Sequence, residues 1–235
     1  MYIYLSWWDF KNNIGVYSIM SNTYDMLRIQ ETLKPFYIIL ENKKDDNIRK
    51  TRNYYKYVNK VYCELLDKYK NAIVVDYNKN NCFFALTAHI NNHKTYYINK
   101  NKDYNKFVRR SCVVNDLDSI YVLNELVNRN KLLRNKKIDF LICNGLRDIY
   151  LNKRIFNKEQ IENIFILQDE KTFDDIDYNI VLDMMRKGYR FYTAKPKMTM
   201  INMDNAIELL HNKNQPLICL HHTSKFFNSF IVTFD

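Results

Sequence analysis

Short apolar runs alternate with amphipathic stretches through the second half of this chain, and that alternation constrains the fold more than any other feature. Residues 138–143, 164–168, 190–194 and 216–220 read as buried strands, and 227–234 as a last strand. Between them, residues 158–163, 175–187 and 203–211 read as helices, with Gly188 placed to end the middle one. Strands and helices in this order imply βαβ units and a largely parallel sheet. Residues 116–134, with Leu117, Ile120, Tyr121, Leu123, Leu126, Val127 and Leu133 as an apolar stripe, read as a further helix.

The first half reads differently. Residues 2–8, 15–21 and 36–40 are strand-like runs around polar turns, and residues 48–70 are a helix. The apolar positions of that helix (Tyr54, Val58, Val61, Tyr62, Leu65, Leu66, Tyr69) fall on one face, and Arg49, Lys50, Arg52, Lys56 and Lys60 on the other. Residues 72–77 and 82–90 read as a hairpin, with 95–98 as another strand. A basic connection over 99–110 places a domain boundary there. The expected architecture is therefore α/β: a basic α+β module over residues 1–105, and over 106–235 an α/β domain with a mixed, largely parallel sheet.

Charge follows the same division. Of the formal net charge of +10, residues 1–110 carry +9, from 19 Lys and Arg against 10 Asp and Glu. A lopsided positive field concentrates polyanions, so RNA or another nucleic acid is the expected partner class. Within the basic helix, Tyr57 lies off the apolar stripe beside those cations. Tyr54-Tyr55-Lys56-Tyr57 and Tyr96-Tyr97 are candidate stacking platforms for unpaired bases.

No apolar run approaches the ~18 residues that span a bilayer, so no membrane role is expected. The first residues lack a secretory signal, and five cysteines without CxxC spacing read as free thiols of a reducing, cytoplasmic setting. The abundance of Asn, Lys, Ile and Tyr points to an AT-rich coding genome such as a virus or plasmid. His89 and His93, with Cys219, His221 and His222, have zinc-ligand chemistry, but 89–93 lacks the helical HExxH pattern, so no metal is expected. No P-loop or dinucleotide fingerprint occurs.

Residues 183–197, a helix followed by Arg186-Lys187-Gly188 and a strand running into Lys195, Pro196 and Lys197, resemble the fourth helix and fifth strand of Rossmann-like methyltransferases. The helix, strand, polar turn and final strand that follow resemble the FtsJ-type RNA 2′-O-methyltransferases. Asn144-Gly145-Leu146-Arg147-Asp148, with Leu151, Arg154 and Glu159, is similar to a segment of the poxvirus cap 2′-O-methyltransferases. The resemblance covers about residues 110–235.

It implies S-adenosylmethionine as cofactor and a lysine acting on a ribose hydroxyl, its pKa tuned by neighbouring charges. By position Asp169 and Lys195 (or Lys197) match two of the family's four catalytic groups; Lys94 and Lys106 are candidates for the first lysine. The family's final-strand glutamate is missing, since Asn228 and Ser229 stand there.

The cofactor turn would follow either residues 73–76 or residues 111–114. Asn115 and Asp116, with Asn144, are therefore the candidate cofactor contacts. Neither turn has the glycine that lets backbone approach a ligand, although Asn and Asp tolerate positive φ. The expected function is that of a degenerate, non-catalytic member: an RNA-binding or stimulatory subunit of a capping or modification system, beside a larger catalytic protein. The alternatives are an active cap methyltransferase and an unrelated structural or assembly protein.

Overall fold

A computed structural model of the 235-residue chain describes residues 24–30, 32–41, 48, 55–78, 81–99, 102–118, 120–124, 133, 136–151, 161–167, 175–194, 199–202 and 216–228. Elements expected over residues 2–8, 15–21, 203–211 and 229–234 lie outside these.

A hairpin of β1 (Tyr24–Ile29) and β2 (Phe36–Glu41) comes first, followed by helix α1 (Lys56–Leu66). Then come β3 (Ile73–Tyr77), α2 (Phe83–Ile90), β4 (Lys94–Asn99), α3 (Lys102–Val114), β5 (Tyr121–Asn124), β6 (Ile138–Cys143), α4 (Leu146–Leu151), β7 (Ile161–Ile166), α5 (Asp175–Arg186), β8 (Tyr189–Thr193), β9 (Thr199–Ile201) and β10 (Leu217–His221). The last eight strands form one sheet in the order β5-β4-β3-β6-β7-β10-β8-β9. Strands β3 to β7 pair in parallel, while β10 runs antiparallel to both β7 and β8.

Two apolar layers enclose the sheet. One face carries Val74, Phe140, Phe165 and Ile218 against α1, α2, α3 and the hairpin; the other carries Val75, Leu141, Ile164 and Phe191 against α4 and α5. Parallel strands covered on both faces read as continuous hydrophobic runs. In β7 every residue is buried. The stripe of α1 is buried as its spacing predicts, at Val58, Val61, Tyr62, Leu65 and Leu66.

The boundary expected at 105/106 falls inside α3, between strands of one sheet, and hairpin residues Leu27, Ile29, Phe36 and Ile38 share a core with the sheet. Two side chains of α3 and the turn after it seal the hairpin's free edge. Asn115 accepts from the Tyr37 amide (2.7 Å) and donates to its carbonyl (2.6 Å), and Ser111 accepts from the Ile39 amide (2.9 Å).

Four expectations are corrected. Residues 161–163, expected within a helix over 158–163, open strand β7. Residues 83–90 form α2, not the second strand of a hairpin, because β3 and β4 pair in parallel and the chain between them must cross over. Residues 102–114 form α3 rather than a connection. Tyr121–Asn124 is a parallel edge strand rather than the middle of a helix.

Gly188 ends α5 as expected, with φ +89° and its amide bonded to the Met185 carbonyl at 3.0 Å. A Cβ there would meet the His222 imidazole. Gly188→Ala is expected to cost about 1–3 kcal/mol through the disfavoured φ, read as a fall in Tm of roughly 2–4 °C per kcal/mol. An unchanged Tm would show that the turn relaxes freely. Among the described residues no helix is long and apolar enough to cross a membrane.

Candidate cofactor cleft

The chain runs outward from β3 through β4 to β5, then returns to place β6 on the other side of β3. The carboxyl ends of β3 and β6 therefore flank a topological switch point, where ligands of open α/β sheets bind. Asn144, named from sequence, sits there: it follows β6, is 1% exposed, and its amide reaches the Tyr77 carbonyl at 3.5 Å. Asn99 ends β4, and its amide donates to the Tyr97 hydroxyl at 2.8 Å.

The turn after β3 lies at this switch point, and the Asn78 amide within it and two amides of α2 are engaged by this chain's own side chains. Asp76, fully buried, accepts from the Asn78 amide (3.0 Å) through Oδ1 and from the Ala85 amide (2.9 Å) through Oδ2. Asn81 Oδ1 accepts from the Phe83 amide at 3.0 Å. Phe83 and Ala85 stand in the first turn of α2, whose free N–H groups would otherwise face an anionic ligand. Burial drives the Asp76 carboxyl up to about 7, against the two amides that favour its charge. Asn78, Asn81 and Cys82 are themselves buried. The space between Asn81, Cys82, Tyr97, Tyr104 and hairpin residues Ile39 and Leu40 is a cavity of about 10 Å³, room for one water at most.

S-adenosylmethionine does not fit the described part of this turn. Close backbone approach requires glycine, whereas Asn78, Asn81 and Cys82 place buried side chains there. Where a Rossmann site holds the ribose hydroxyls with an acid near the second strand, β4 ends in the neutral Asn99.

The other sequence candidates separate. Asn115 and Asp116 follow a helix, not a first strand: Asn115 clasps Tyr37, and Asp116, at φ 54°, closes the end of α3. Asp169 and Lys195, and with them Lys197, lie outside the described residues. Lys94 starts β4, at the end of the sheet opposite Asn99, and Lys106 is exposed on α3.

Arg49, Lys50, Arg52 and Tyr54 also lie outside the described residues. Lys56 and Lys60 are exposed on α1 and, with Lys68, Glu64, Asp67 and Leu33, line a groove of about 690 Å³; Tyr57 is half-buried. His89 stands on a helix after all, bonded to the Asp118 carbonyl (2.8 Å), while buried His93 accepts from the Ala72 amide (3.1 Å). Among the described residues no group of three His, Cys, Asp or Glu could hold a metal. Sequence reasoning missed Asp76 and Asn81; the signal available was an Asp closing an apolar strand and an Asn two residues before a helix.

At the starting edge of the same sheet lies a second, closed polar network. Glu162, 2% exposed, pairs with Lys137 and accepts from Tyr69 at 2.7 Å; Asn163 donates to Tyr69 (3.1 Å) and accepts from Ser224 (2.8 Å). It fastens the turn after β10 under the sheet.

No protein-family model and no curated protein matches the sequence. Among solved structures, the chain is similar to a methyltransferase from Streptococcus mutans described as SAM-dependent. The TM-score is 0.53 at 12% identity, over 87% of this chain and 57% of that one. An rRNA methylase from Streptococcus thermophilus gives 0.47 at 12%, over 70% and 95%. Trm5, solved with a leucine tRNA, gives 0.47 at 14%, over 84% and 52%. At these identities the likeness is one of fold, and the fold of this chain is that of the Rossmann-like methyltransferases.

Proposed function

We propose that the chain is an RNA-associated protein that keeps the methyltransferase fold without its catalysis: an RNA-binding or stimulatory subunit beside a larger catalytic protein in RNA capping or modification. The observation that carries the reading is that Asp76 and Asn81 take the Asn78 amide of the turn after β3 and the Phe83 and Ala85 amides in the first turn of α2. The net charge of +10 supports a polyanionic partner. Buried free thiols at all five cysteines suit a reducing cytoplasmic setting.

Titration calorimetry with S-adenosylmethionine, then with a capped RNA oligomer at two salt concentrations, tests it. The expected result is no cofactor heat, together with RNA binding that weakens roughly tenfold or more between about 50 and 200 mM salt as phosphate contacts release counterions. Micromolar cofactor binding would overturn the non-catalytic reading. Lys195→Ala would then be the decisive variant, since an active enzyme of the FtsJ type loses its turnover with that lysine.

A further inference from the structure

We infer that the outer edge of the sheet carries a stacking site for an unpaired base of single-stranded RNA, centred on Tyr121 and flanked by Lys94 and Lys136. The inference rests on the reading of the chain as RNA-associated and gives that reading a surface. Tyr121 opens the edge strand β5 and is 53% exposed, unusual for a large ring among the described residues. Its register partner in β4 is Tyr96, which is 1% exposed. The two rings stack at 5.1 Å between centroids and 25° between planes. The buried ring fixes the orientation of the exposed one, and with one face of Tyr121 laid on Tyr96, its exposure falls on the opposite face and the ring edge.

Cations complete the site. Lys94 lies two residues before Tyr96, so strand alternation puts both on one face. Its ammonium stands 5.8 Å from the Tyr121 centroid and 6.0 Å from that of Tyr96. Lys136 approaches the Tyr96 ring at 5.5 Å and donates to its hydroxyl at 3.1 Å. A rigid ring with ammonium groups beside it is what a sequence-tolerant single-strand site uses: the base stacks and the flanking phosphates meet the cations. The pair Tyr96-Tyr97 suggested stacking from sequence alone, but both rings are buried. The exposed member is Tyr121, brought beside Tyr96 by parallel pairing. The site lies at the strand starts, away from the cleft beside Asn144, so it suits a subunit that holds RNA rather than one that reacts with it.

Edge cations also guard sheets against pairing with other chains, and binding measurements separate the two roles. The probe is a fluorescein-labelled single-stranded RNA of about a dozen nucleotides, within single-strand site sizes, followed by anisotropy on the full chain. Tyr121→Ala is expected to weaken binding about 5- to 100-fold, the worth of one stacked base, whereas Tyr121→Phe stays close to the unmodified chain. The double variant Lys94→Ala, Lys136→Ala is expected to lower the slope of log affinity against log salt by about 1.4, or ~0.7 per phosphate released. Thermal unfolding should leave Tyr121→Ala folded, because the ring is exposed. If the unmodified chain binds the RNA and Tyr121→Ala binds it equally, the site is overturned while the RNA reading stands. If the unmodified chain fails to bind at low salt, both fall.

Discussion

Tyr62→Ala is expected to remove about 3–5 kcal/mol of stability, a large share of the 5–15 kcal/mol that holds a typical domain folded. Tyr62 sits on α1 with no exposure and meets three rings edge-on: Phe84 of α2 at 5.2 Å, Phe140 of β6 at 5.7 Å and Phe165 of β7 at 5.4 Å. Each such pair contributes about 0.5–1.5 kcal/mol beyond the area it buries. The loss falls on the junction of two helices with the centre of the sheet, where partial collapse cannot refill the space. Its hydroxyl donates to the Phe84 carbonyl at 3.2 Å, a bond worth about 1 kcal/mol. Tyr62→Phe keeps the rings and isolates that bond. Guanidinium unfolding of both variants checks the assignment. A cost below about 1 kcal/mol for the alanine variant would mean that α1 is not integral to the core, and that the N-terminal elements are a separable module after all.

What the sequence made legible follows from how each element is buried. The stripe of α1 and the runs at β6, β8 and β10 could be read because burial on one helical face, or on both faces of a parallel sheet, writes a plain pattern. Helix α2 could not be read this way. Phe83 to Ala88 are buried all round, and so short a buried run looks the same as strand or helix. Its identity is set by turn chemistry, Asn81 and Asp76 holding its first amides, and by β3 and β4 pairing in parallel, which requires a crossover between them. Helix α3 was hidden for the opposite reason. Part of its buried side is Ser111, a polar residue, because that side also closes the edge of β2. At the cleft, Asn144 was legible as a residue after a buried strand. The choice between two glycine-free turns was not, since the second of them follows residues 111–114, which read as strand but end helix α3.

Stability is expected to fall as the pH rises from about 4 to about 7 by as much as roughly 4 kcal/mol on account of Asp76 alone, and to level off above that. Its carboxyl titrates at about 7 in the folded chain against an ordinary value of 3.8, with burial as the main cause. The native state therefore holds a proton that the unfolded chain releases throughout that window, so each step up in pH favours unfolding. Asp139, also raised by burial, adds a slope of the same sign, and His93, lowered by burial, adds one of opposite sign. Tyr62, Tyr97 and Cys82, whose charges would repel that of Asp76, are raised and remain neutral across the window.

The comparison with Asp76→Asn cancels these shared contributions. An amide can accept from only one of the two amides that the carboxyl serves, leaving either Asn78 or Ala85 without an acceptor, at a cost of about 1–3 kcal/mol. The variant should therefore be less stable than the unmodified chain at pH 5, match or exceed it at pH 8, and show a flatter profile between. Parallel profiles would mean that Asp76 is charged throughout, with its two amides outweighing burial. In that case the turn after β3 is held by a permanent anion.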